Sequence, residues 1–134
     1  MSIFLDRARA LRECTTTHYN CAQAVLLTFA EAAGLEESKA MAVSANFGSG
    51  MKMAATCGAI TGGLMVLGLF GVEDGKTIGA YYRALREQHN GLLNCADLLR
   101  VNKEQGREKK PHCDDMVYEC VALVETILRD QRKI

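Results

Sequence analysis

The sequence predicts an all-α fold: a compact single-domain bundle of about five to six helices around a buried glycine-rich central helix. Three observations carry this. Proline occurs once in 134 residues, at Pro111, so almost nothing interrupts a helix. Helix-forming residues dominate, and polar alternation with aromatic or β-branched residues is scarce. Apolar residues recur at helical spacing in segments bounded by capping residues. A chain of this length suits one domain, residues 1–134, with a core that needs no staples.

The elements follow in order. Ser2 is a suitable N-cap for a first helix that runs to near Cys14, with Phe4, Leu5, Ala8 and Leu11 on its apolar face. The β-branched run Thr15-Thr16-Thr17 ends it. Asn20 caps a second helix carrying Ala24, Val25, Leu27 and Phe29, closed by Gly34. A third spans about Glu36 to Phe47 and ends in Gly48-Ser49-Gly50, which reads as a hinge or turn. The glycine-rich helix follows and breaks at Gly71 to Gly75. A fifth begins near Lys76, with Ile78, Tyr82, Leu85 and His89 in one stripe, and kinks or restarts at Asn90-Gly91 with Asn94 as a second cap. Residues 102–110 form a polar loop. The last helix opens at Pro111 and buries Met116, Val117, Cys120, Leu123, Val124, Ile127 and Leu128.

Composition narrows the function. Lys plus Arg and Asp plus Glu number sixteen each, so no single-sign field points to nucleic acid. The basic run Arg107, Lys109, Lys110 reads as a solvated loop. Met53 to Val72 holds twenty uncharged residues, enough to span a membrane on length alone. Its five glycines, Thr56, Thr61 and Cys57 lower its hydrophobicity, and amphipathic neighbours need a core to cover, so no membrane span is expected. Asp6, Arg7 and Arg9 argue against a secretory signal. The expected location is cytoplasmic, where six cysteines serve packing, metal binding or transient redox chemistry rather than permanent disulfides.

Four cysteines are the candidate site. Cys21 follows Asn20, Cys57 follows Thr56, Cys95 follows Asn94, and Cys113 sits two residues after Pro111. Positions at helix starts favour thiolate, through exposed N–H groups and the helix dipole. A thiolate serves equally as nucleophile and as metal ligand. Residues Lys52 to Ala55 could instead extend the fourth helix and enclose Cys57. Gly58 and Gly62 lie in a small-residue row that lets another backbone, through tight helix packing, or a cofactor approach closely. Cys120 lies on the apolar stripe of the last helix, and Cys14 is cut off from Cys21 by the threonine run; both are set aside. His18, His89 and His112 lie near cysteines in sequence, but as ligands they are the minority reading. There is no C-x-x-C, no haem-attachment motif and no Walker A or dinucleotide fingerprint.

Cys57-Gly58-Ala59-Ile60-Thr61-Gly62 resembles the motif of the C_GCAxxG_C_C family, whose redox activity is itself inferred from its cysteines. The similarity covers about residues 18–125. By this resemblance Cys21 is the first family cysteine, Cys57 that of the motif, and Cys95 and Cys113 the last two. The resemblance also implies a functional link to transporters, without naming a substrate.

The leading expectation is therefore thiol–disulfide redox chemistry or electron transfer by Cys21, Cys57, Cys95 and Cys113, with the pairing open among three. Thiol–disulfide oxidoreductase activity is one form of it and needs no cofactor. One alternative makes the same four cysteines ligands of a metal or an iron–sulfur cluster. Another makes the chain a structural or partner-binding protein. The redox partner is unidentified, and a small-residue face permits a homodimer.

Overall fold

The computed structural model describes residues 2–134. Among the described residues, seven α-helices and one short turn make up the fold, more than the five to six helices expected. They are α1 (Ile3–Glu13), α2 (Cys21–Ala30), α3 (Glu37–Ser44), the turn Gly50–Ala54, α4 (Gly58–Leu69), α5 (Gly75–Gln88), α6 (Cys95–Glu104) and α7 (Lys109–Asp130). Among the described residues there is no β-strand, only an isolated antiparallel bridge between Thr56 and Asn94. The higher count arises because Asn90 and Gly91, both at positive φ, separate α5 from α6 completely. Among the described residues, no helix is long and apolar enough to cross a membrane. The glycine-rich stretch is helical over only twelve residues.

Local capping explains the helix starts. The Ser2 hydroxyl accepts from Leu5 N–H. Asn20 accepts from Gln23 N–H at 2.8 Å while Gln23 returns a carboxamide oxygen to Asn20 N–H at 3.0 Å, a reciprocal box that fixes the start of α2. Asp74 caps α5. The final helix starts at Lys109, before the proline, because Pro111 still falls within its first turn, where no N–H is required.

The glycine-rich α4 is central, as expected, and shares that position with α2, whose residues Ala22 to Ala30 are all buried. The two pack closely because Gly62 has no side chain. A Cβ there would lie 2.9 Å from the Ala22 carbonyl oxygen and 3.1 Å from its Cα. At Gly58 a Cβ would lie 2.8 Å from the Phe47 carbonyl and 3.4 Å from Cys21 Cβ. The close approach that this glycine row permits is made by the α2 backbone. Helix α7 packs against α1, α2 and α4. Phe29, Ile60, Leu67, Tyr81, Leu85, Met116 and Leu128 are fully buried in the core. Tyr81 Oη donates to the Ile60 carbonyl at 2.8 Å, tying α5 to α4.

Between α3 and α4 the backbone is strained. Ser49, Gly50, Met51 and Lys52 all have positive φ, between 52° and 60°. For a residue with a Cβ this costs about 1–2 kcal/mol. Gly50 is needed for a second reason: a Cβ there would meet the Ala55 backbone N at 2.6 Å. The segment expected to be a hinge or turn is thus a tight turn with left-handed backbone. It folds the chain back so that Ala55 to Cys57 lie beside Leu93 to Cys95.

Candidate functional site

Four helices deliver their cysteines to one cavity. Cys21 is the first residue of α2 and Cys95 the first of α6. Cys57 is the N-cap of α4, with φ −50° and ψ 133°, so Lys52 to Ala55 do not extend the helix across it. Cys113 is the fifth residue of α7, one turn inside rather than at its start. The cavity has a volume of about 90 Å³, and all four cysteines line it, with Arg12, His18, Lys109, His112 and Met116. All six cysteines of the chain are free thiols.

Two arrangements hold the thiols. The Cys57 N–H donates to the Leu93 carbonyl at 2.9 Å, and the Cys95 N–H to the Ala55 carbonyl at 2.6 Å. These bonds flank the Thr56–Asn94 bridge and set Cys57 and Cys95 diagonally across it. Cys21 and Cys113 come from helices that pack directly and line the same cavity, where each thiol shifts the other's ionisation.

Burial decides most of the electrostatics. For Cys57 it pushes the thiol up to about 11, although the N–H groups of Ala59 and Ile60 pull the other way. For Cys95 burial raises it too. The Cys21 thiol is raised by its hydrogen bond to Cys113 and by burial, against the pull of Arg12. Only Cys113 of the four is lowered, to about 7. Its causes are the hydrogen bond from Cys21 and then, against burial, the charges of Arg12 and Lys109. The expectation that helix starts favour thiolate at all four positions is therefore corrected. Desolvation outweighs the helix end at Cys57, and the one favoured thiolate, Cys113, owes its state to side-chain neighbours.

Arg12 was not among the expected site residues. Its Nε lies 2.6 Å from Asp114 Oδ1, and Nη1 donates to the Tyr19 carbonyl at 2.8 Å. Its side chain is 6% exposed, so the cation is held in place beside Cys21 and Cys113. Phase was the available signal: Phe4, Ala8 and Arg12 are the buried residues of α1, at four-residue spacing. An arginine in register with an apolar stripe is a buried cation that needs an anionic neighbour. The basic run also differs from a solvated loop. Lys109 and Lys110 open α7, and Lys110 Nζ donates to the Arg12 carbonyl at 3.1 Å and to Asp114 Oδ2 at 2.9 Å.

The histidines divide. His18 and His112 line the cavity, whereas His89 Nε2 is bonded to Glu119 at 2.6 Å. Burial, with Arg107 and His89, lowers His112. Cys120 is fully buried in the core, as expected. Cys14 caps the C-terminus of α1, with its sulfur 3.4 Å from Thr16 Oγ1. Among the described residues, no three His, Cys, Asp or Glu side chains are grouped so as to hold a metal ion.

No curated protein and no solved structure matches the chain. A family model does, over residues 19–127, which include all four cavity cysteines; its description is "Putative redox-active protein (C_GCAxxG_C_C)". That description supports a general redox role. With most of its length matched, the chain belongs to the C_GCAxxG_C_C family.

Proposed function

We propose that the protein is a thiol–disulfide redox protein whose first exchange runs through Cys113 and Cys21. The observation that carries this reading is the thiol pair itself: Cys21 and Cys113, each of which shifts the other's ionisation, stand beside a fixed guanidinium in a cavity lined by two further cysteines. Cys113 acts as the nucleophile, since a thiolate attacks a disulfide and a thiol does not. Attack forms a Cys113 mixed disulfide and expels the partner's other sulfur as thiolate. The hydrogen bond to Cys113, which raises Cys21 most, then has no thiolate to accept it, while Arg12 still favours the Cys21 anion. Cys21 ionises, attacks Cys113 and closes the Cys21–Cys113 disulfide, releasing the partner's second thiol. Two protein thiols are oxidised and one partner disulfide is reduced to two thiols.

Cys57 and Cys95 are less suited to the first bond. Diagonal neighbours across an antiparallel bridge lie about 7–8 Å apart, at the limit of what a disulfide spans without backbone movement. They line the same cavity and stand as the next thiols in line.

Counting free thiols after mild oxidation tests the reading. The wild-type protein loses two of its six thiols, Cys14→Ser and Cys120→Ser proteins also lose two, and Cys21→Ser or Cys113→Ser proteins lose none as an internal bond. Retention of all six in the wild type, or loss undiminished in both Cys21→Ser and Cys113→Ser, contradicts it.

A further inference from the structure

Cys113 faces two spaces. Besides the inner cavity it lines an outer groove of about 650 Å³, which Cys14 also lines. The same groove is lined by Arg12, His18, Lys109 and Lys110, and by no Asp or Glu. Asp114 neutralises part of this charge through Arg12 and Lys110. Three cations against that one carboxylate still leave the groove positive on a chain whose formal charge is zero. The hydroxyl-bearing run Thr15, Thr16 and Thr17 adds hydrogen-bonding groups along it. A volume of this size matches a small molecule of a few tens of atoms rather than a protein surface.

We infer that the outer groove binds a small anionic disulfide, a carboxylate-bearing low-molecular-weight compound, and presents its sulfur to Cys113. The inference rests on the proposed Cys113–Cys21 chemistry and names its substrate class. Lys109 and Lys110 take the carboxylates at the mouth, and Cys113 lies where the groove meets the inner cavity. Cys113 thiolate attacks one sulfur of the compound RSSR, forming Cys113–S–S–R and releasing RS⁻, which takes a proton from water. Cys21, giving its proton to solvent, then attacks the Cys113 sulfur and releases the second RS⁻. The balance is one RSSR reduced to two RSH and one protein disulfide formed. Lys109 and Lys110 are positioning residues and touch no reacting atom.

A charge series tests this. In a protein carrying Cys14→Ser and Cys21→Ser the reaction stops at the Cys113 mixed disulfide, whose rate of formation peptide-resolved mass spectrometry follows. The probes are glutathione disulfide, which is anionic, bis(2-hydroxyethyl) disulfide, which is neutral, and cystamine, which is cationic. The anionic probe reacts fastest and the cationic one slowest, and the gap narrows with added salt. Adding Lys109→Gln and Lys110→Gln lowers the ratio of anionic to neutral rates by about fivefold. The ratio is the readout because Lys109 also favours the Cys113 thiolate, an effect common to all probes. Equal rates for the three probes, or an unchanged ratio in the double variant, overturn the groove assignment and leave the Cys113–Cys21 reading standing. If Cys113 reacts with none of them, both fail.

Discussion

Cys113 and Arg12 carry the chemistry at the scale of single residues. A thiol held near 7 changes its ionisation across the neutral range. Alkylation of Cys113 by iodoacetamide is expected to rise with a midpoint near pH 7, and Cys57, held near 11, to stay unreactive at neutral pH. Replacing Arg12 by Gln removes a cation that favours the thiolate; the midpoint moves up and the rate at pH 7 falls about 3- to 10-fold. Arg12→Lys, which keeps the charge, retains most of the rate and separates the electrostatic effect from misfolding. A midpoint unmoved in Arg12→Gln contradicts the assignment.

The same thiols link stability to pH. Cys113, lowered on folding, stabilises the native state above its unfolded value of 9.0, and that contribution is lost as pH falls towards 7. Cys57, raised to about 11, acts oppositely: above pH 9 the unfolded chain releases a proton that the native state retains, so stability falls between about 9 and 11. Denaturant midpoints compared at pH 8 and 10.5 should therefore drop less in Cys57→Ala than in the wild type. An equal drop in both removes Cys57 as a cause.

Elements set the geometry, and the α2–α4 seam is the sensitive one. Gly62→Ala forces a Cβ against the Ala22 backbone, which no rotamer change relieves. It should cost about 1–3 kcal/mol and draw Cys21 away from the cavity. Gly68, also in α4, has nothing within 4 Å of its would-be Cβ; Gly68→Ala should stabilise by about 0.5–1 kcal/mol. Urea unfolding of both proteins checks the pair, and similar effects of one sign would show that close packing is not the reason for Gly62. The helix starts at Ser2 and Asn20 were readable in the sequence because a cap acts over three or four residues; Asn94 stands at the start of α6 but makes no side-chain cap bond. The left-handed turn was not readable, since Met51 and Lys52 carry no mark of positive φ and only Gly48 and Gly50 hint at it. The four candidate cysteines were marked in the sequence by their places near helix starts; their meeting follows from packing between α2, α4, α6 and α7, which no local spacing encodes. Arg12 shows the middle case: its phase in α1 was visible, but its partner Asp114 is 102 residues away.

The whole molecule has one centre, α2 against α4, with α7 crossing both and bringing Cys113 to Cys21. A disulfide there closes a loop of roughly 90 residues, which on chain entropy stabilises the fold by about 4–5 kcal/mol. Oxidised protein should melt several degrees above the reduced form, and the gap should vanish in Cys21→Ser; oxidation that lowers the melting temperature would mean that the bond distorts the bundle. The most direct test is a redox titration in glutathione buffers, with alkylation and peptide-resolved mass spectrometry at each potential. The peptides bearing Cys21 and Cys113 should lose alkylation together, with one shared midpoint and a two-electron slope, and should be recovered as a cross-linked pair. Independent midpoints, or full alkylation of both at every potential, would contradict the thiol pair as the working centre of this protein.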